Sequence, residues 1–199
     1  MKRLFVILLV LFLFTSANLF SQVINWENGV AISSVKPFND GKITTYQSQI
    51  GLDYADKGWF YLSSNVGYIR KGGSMDVLYV EDNVTQAREL TSKLRMDYVT
   101  INTTFNIKKE SIDHYIFYCG VGPRLDLKVK EKFQLLDGSM YKANSVLFGL
   151  KCTAGVLYDF SSFRCGLSFS YLPTFTDYYK SISEKDQTFT IGVSVGYKL

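Results

Sequence analysis

The last eleven residues of the chain alternate without a break. Phe189, Ile191, Val193, Val195, Tyr197 and Leu199 fall on one face, and Thr190, Gly192, Ser194, Gly196 and Lys198 on the other. Successive side chains of a β-strand point to opposite faces, so this segment predicts a strand with one bulky apolar face. Its other face holds only glycine, small hydroxyls and one cation. A soluble sandwich turns its large residues inward. A small transmembrane barrel turns them outward to lipid and crowds small or polar residues into the lumen.

The same alternation recurs along the chain and predicts eight strands, over residues 26–35, 46–55, 59–70, 95–107, 115–129, 146–160, 163–172 and 189–199. In the third, Phe60, Leu62, Val66 and Tyr68 oppose Tyr61, Ser63, Asn65 and Gly67. In the sixth, Phe148, Leu150, Cys152, Val156 and Tyr158 oppose Gly149, Lys151, Thr153, Gly155 and Asp159. The first is the least regular. Strands of about 9–11 residues suit a tilted membrane crossing. Long connections (36–45, 71–94, 130–145, 173–187) alternate with short ones (56–58, 108–114, 161–162). Short periplasmic turns and long outer loops are the habit of outer-membrane barrels. Residues 84–94 are expected to form a short helix on an outer loop, and residues 75–80 a strand extension above the membrane. The fold class that follows is all-β: an eight-stranded antiparallel up-and-down transmembrane β-barrel over residues 22–199. A soluble eight-stranded calyx holding a small ligand is the other fold compatible with this strand count, but its interior is apolar. The inward set here carries Asp53, Arg124, Asp126, Lys151, Asp159, Arg164 and Lys198.

The start of the chain adds an address. Lys2 and Arg3 precede an unbroken apolar run from Leu4 to Phe14, followed by the more polar Thr15 to Gln22. That run is too short for a membrane-spanning helix, which needs about 20 apolar residues, and it predicts a secretory signal peptide over residues 1–21. Ala17 is one candidate for the cut and Ser21 before Gln22 another, though Leu19 is a poor residue two positions upstream of Ser21. The rest has no second long apolar run.

Composition and charge narrow the picture. Tyr is 14, Phe is 15 and Pro only 3, a balance that favours pleated sheet and supplies aromatic girdles. The net charge is +4, of which Lys2 and Arg3 supply half, and the basic residues form no stripe. Nucleic-acid binding is therefore not indicated.

Three segments resemble the PorT-like outer-membrane β-barrel family. They are Tyr68-Ile69-Arg70-Lys71-Gly72-Gly73, the run Gly120-Val121-Gly122-Pro123-Arg124-Leu125-Asp126 within Tyr118 to Leu127, and Gly192-Val193-Ser194-Val195-Gly196-Tyr197. One departure is that Tyr98 to Asn106 lacks the proline the family often carries in strand four. The resemblance implies an eight-stranded barrel in the outer membrane of a Gram-negative bacterium. The family takes its name from a protein-secretion accessory.

Candidate chemistry is sparse. His114 is the only histidine, in Glu110-Ser111-Ile112-Asp113-His114. Some small barrels are lipid-modifying enzymes that use Ser, Asp and His together, but these neighbours fall in a predicted periplasmic turn, away from the outer rim. One histidine also makes a zinc site unfavourable. The inward charges Asp53, Arg124, Asp126, Lys151, Asp159 and Arg164 read as a packed plug of ion pairs, because eight strands leave room only for side chains. An ion path is the competing reading. Cys119, Cys152 and Cys165 fall on lipid-facing sets and read as small wall residues. Tyr79, Phe175, Tyr178 and Tyr179 lie on the outer connections, where rigid scaffolds carry most of their recognition residues. The expected protein is non-catalytic and cofactor-free, an outer-membrane lipid neighbour with an envelope protein as partner. A lipid-modifying enzyme and a narrow channel are the alternatives in the membrane.

Overall fold

The computed structural model describes residues 22–35, 41–79, 88–133, 144–177 and 185–199. They form eight strands: β1 (Val23–Val35), β2 (Ile43–Lys57), β3 (Phe60–Tyr79), β4 (Arg88–Glu110), β5 (Tyr115–Phe133), β6 (Val146–Asp159), β7 (Phe163–Pro173) and β8 (Asp186–Lys198). Each pairs antiparallel with the next, and β1 pairs with β8 from Val23↔Lys198 to Val35↔Asp186, closing the barrel. Closure removes the sheet edges that lipid cannot solvate.

Sidedness follows the alternation. Ile50 is 63% exposed and Val193 59%, while Arg124 is 2% and Asp126 0%. The apolar side chains are outside and the charges inside, the reverse of a soluble calyx. One external band runs through Trp26, Ile50, Val66, Ile101 and Leu125. Aromatic rings frame the band at the short-turn end, with Phe60 stacked on Phe105 at 5.2 Å, Tyr115 against Tyr158 at 4.9 Å and Phe163 against Tyr197 at 5.5 Å. Tyr171 stacks on Phe189 at 4.8 Å at the other end. From Tyr197 to Phe189 is about 26 Å along the strand, or about 20 Å after a tilt of about 40°, close to the height of such a belt.

Two irregularities matter. Between Tyr54 and Lys57 the β2–β3 register shifts, and Ala55 there takes a left-handed φ of 53°. On β5, Tyr98 pairs with Lys128 but Asp97 pairs with Lys130, so Val129 bulges and the side-chain parity flips beyond it.

The helix expected over 84–94 is corrected for its described part. Residues 88–94 belong to β4, paired from Tyr79↔Arg88 to Gly73↔Leu94. Residues 84–87 lie outside the described residues, as does the signal segment 1–21. Locally, Arg88, Glu89, Leu90 and Lys93 favour helix, but the ladder offered by β3 overrides that weak preference. Of the extension expected over 75–80, residues 75–79 are strand. This β3–β4 hairpin therefore rises past its neighbours. On one side the last link to it is the bridge Gly41↔Ser74, and on the other the pair Leu94↔Phe133. Beyond these, Met75–Tyr79 and Ser92 back to Arg88 pair only with each other among the described residues, a projection of about 17 Å.

Candidate functional site: the lumen and the long-loop rim

Inward parity on β3, β5 and β8 brings four charges together near the long-loop end. Lys71 Nζ lies 2.8 Å from Asp126 Oδ2 and 2.8 Å from Asp186 Oδ2, and all three side chains are fully buried. Arg124 Nε lies 3.1 Å from Asp126 Oδ2, and Arg124 Nη2 donates to Thr174 Oγ1 at 3.0 Å. Gly149 makes room for this arginine: a Cβ there would come within 3.1 Å of Arg124 Nη2 and collide with the Pro173 carbonyl. The Lys71 ammonium also sits 5.8 Å from the centre of the Tyr98 ring. Two cations thus face two carboxylates, the balance a buried charge cluster requires.

At the short-turn end a second cluster forms. Arg164 holds Asp159 with two contacts, Nε to Oδ1 at 2.6 Å and Nη2 to Oδ2 at 3.2 Å. It also approaches Asp53 at 3.8 Å and Asp56 at 3.9 Å. Lys108 bridges Asp56 and Glu110, each at 2.6 Å, and Lys198 reaches Asp159 at 2.7 Å. Asn25 Nδ2 donates to Asp53 Oδ1 at 2.8 Å.

Amides fill the middle. Gln47 Nε2 donates to Glu27 Oε1 at 3.1 Å, Asn65 Nδ2 to Asn102 Oδ1 at 3.3 Å, and Asn102 Nδ2 to Gln49 Oε1 at 3.4 Å. Lys151 stands between the clusters and lines the same cavity as Asp53. That cavity, lined by Glu27, Asp53, Tyr118, Lys151 and Arg164, has about 40 Å³. A second space of about 10 Å³ lies on the other side of Lys151, against Arg124 and Asn102. At about 10–15 Å³ each, these spaces suit a few water molecules.

Of the six charges of the expected lumen set, five are buried and Asp159 is half-buried, and they do not form one network. Arg124 and Asp126 belong to the long-loop cluster, Asp53, Asp159 and Arg164 to the other, and Lys151 to neither. Sequence reasoning missed Lys71 and Asp186, assigned to loops, Asp56 and Lys108, assigned to turns, and Glu27 on the irregular first strand. The signal was available: carrying parity outward from Ile69 reaches Lys71, and from Thr188 reaches Asp186.

The remaining candidates are scattered. Ser111, Asp113 and His114 are exposed in the β4–β5 turn, where His114 has a left-handed φ of 64° and Ser111 N donates to Tyr115 O at 2.7 Å. The three cysteines are free, Cys119 exposed and the others half-buried on the outer wall. Among the described residues no group of three His, Cys, Asp or Glu side chains is placed to hold a metal. Phe175 is exposed and tilts against Phe148 at 6.2 Å. Tyr79 ends β3 opposite Arg88. Tyr178 and Tyr179 lie outside the described residues.

No protein family's model matches the chain, and no curated protein matches it. Among the solved structures similar to it are two eight-stranded barrels. Neisserial surface protein A (NspA) is 10% identical, covering 88% of this chain and 98% of its own, with a TM-score of 0.55. The outer membrane protein OprG from Pseudomonas aeruginosa is 11% identical, covering 90% and 96%, also at 0.55. With the apolar belt and polar lumen, this fold fits a barrel of the outer membrane.

Proposed function

We propose that this barrel is a non-catalytic interaction component of the envelope that offers its long-loop end to a protein partner. The observation that carries the reading is the β3–β4 hairpin, which rises above the rim with two strand edges unpaired among the described residues. Exposed edges are templates for a further strand, and pairing by strand addition is a recurring mode of protein recognition. Two features support a role at the rim. Among the described residues the lumen is occupied by two ion-paired clusters, with spaces of about 40 and 10 Å³ between them. The lone histidine stands in an exposed turn at the opposite end from the long loops. The resemblance to the PorT-like family adds a finer reading, that the partner is a component of a protein-secretion apparatus.

The test is cross-linking in intact cells, with a photoreactive residue at Val77 or Leu90. A recurrent stoichiometric adduct is expected. It should disappear when residues 76–91 are replaced by an Asn-Gly turn, which leaves the barrel below intact. A barrel recovered alone from both positions would sink the proposal. Recovery of a secretion component would favour the finer reading, and of any other envelope protein would refute it.

A further inference from the structure

On the outer wall of β3, β4 and β5 the surface changes character within one row. Tyr68, Val99 and Leu127 are cross-strand neighbours at the top of the apolar band. The next outward row is Arg70, Asp97 and Lys130. Lys130 belongs to it only because Val129 bulges. With regular parity Lys130 would share the inward face of Asp126 and Lys128. Arg95 lies two residues beyond Asp97 on the same face of β4 and is exposed, as is Lys130.

The arginine is held ready. Arg70 Nε and Nη2 lie 2.6 and 3.2 Å from the two oxygens of Asp97, and its guanidinium carbon is 6.0 Å from the centre of the Tyr68 ring. The Arg70 side chain remains 39% exposed. The nearby Lys128 is engaged elsewhere, by Glu131 at 2.7 Å. Direct cross-strand neighbours are about 5 Å apart, so three cations and one carboxylate share a patch about 10–12 Å across. The net charge of Arg70, Arg95, Lys130 and Asp97 is +2. A phosphate ester carries about −1.5 to −2 at neutral pH.

We propose that this patch binds the phosphate of a phosphorylated glycolipid of the outer leaflet. Charge complementarity selects the head, and position selects a lipid. The patch sits directly above wall residues that contact acyl chains, at the depth where membrane headgroups begin. Arg70 supplies an oriented guanidinium, a good match to phosphate oxygens, while Arg95 and Lys130 supply the uncompensated charge. The acyl chains run down the barrel wall over Tyr68, Val99 and Leu127. Asp97 positions Arg70 and does not touch the lipid.

The test uses the refolded full-length mature barrel, released from detergent into native mass spectrometry after incubation with one of two probes. These are bisphosphorylated lipid A and the same lipid with both phosphates removed. The wild-type barrel should retain the bisphosphorylated form at least tenfold better. The variant R95A/K130A should lose about tenfold in occupancy, as two weak surface charge contacts predict, while R95K/K130R keeps it. K109A, a cation outside the apolar band at the other end of β4, should retain lipid like the wild type. Heat-modifiable gel migration verifies that each variant is folded. Equal retention of the two lipids, no loss in R95A/K130A, or an equal loss in K109A would each overturn the proposal.

Discussion

At the residue scale, Lys71 decides how the lumen is satisfied. Its ammonium is the shared partner of Asp126 and Asp186, with no exposed surface on any of the three. Lys71→Met therefore leaves two buried carboxylates near each other with only Arg124 beside them. Breaking a buried pair on one side costs about 3–5 kcal/mol, so a large drop in the urea midpoint of the folded barrel is expected. Lys71→Met combined with Asp186→Asn should recover part of it, and a midpoint unchanged in the single variant would refute the role. His114 offers a gentler case. Its φ of 64° is one that histidine tolerates and β-branched residues resist. His114→Gly should leave the midpoint unchanged or slightly higher, and His114→Val should lower stability by about 1–2 kcal/mol in the same titration. Lys71 is reached by carrying parity outward from Ile69, but it precedes Gly72-Gly73, which reads as a turn, and a left-handed histidine leaves no local mark at all.

At the element scale, the strands that touch lipid on one side and the lumen on the other declared themselves. Phe189 to Leu199 could be placed, faced and oriented from alternation alone, because one face must be apolar and the other must fit a crowded interior. Above the membrane that constraint lapses. There β4 begins with Arg88-Glu89-Leu90-Thr91, which lacks period two and favours helix locally. Only pairing with β3 makes it strand. The bulges at Ala55 and Val129 were equally hidden, since a single extra residue in a ladder changes register without changing composition. The second bulge is the one that sends Lys130 outward, so a surface that the proposed lipid contact depends on rests on a feature the sequence conceals. Deleting Val129 removes the extra residue and makes Lys130 the immediate successor of inward Lys128, still facing outward opposite Asp97, so the phosphate preference should survive in the same lipid-retention assay, and its loss would show that the contact needs the bulge itself.

At the scale of the whole molecule, closed topology, strand count and inside-out polarity were all readable, and the partition of the lumen charges into two clusters was not. Parity tells which side chains face inward. It does not tell their height, which depends on the stagger between strands and on the bulges. With ion pairs near both ends and small spaces between, planar-bilayer recordings of the refolded barrel should show no steady conductance, and a stable open level would contradict a packed lumen. The clasp at Lys71 also carries a lesson about time. Its two carboxylates come from β5 and from the first residue of β8, and Asp186 is 115 positions away. A partly built sheet that has β3 and β5 but awaits β8 holds an ammonium with half its compensation, exposed to hydrocarbon if it inserts early. The chain is thus penalised for entering the bilayer before β8 arrives, so that ring completion and membrane entry become a single event, timed by the strand that closes the barrel.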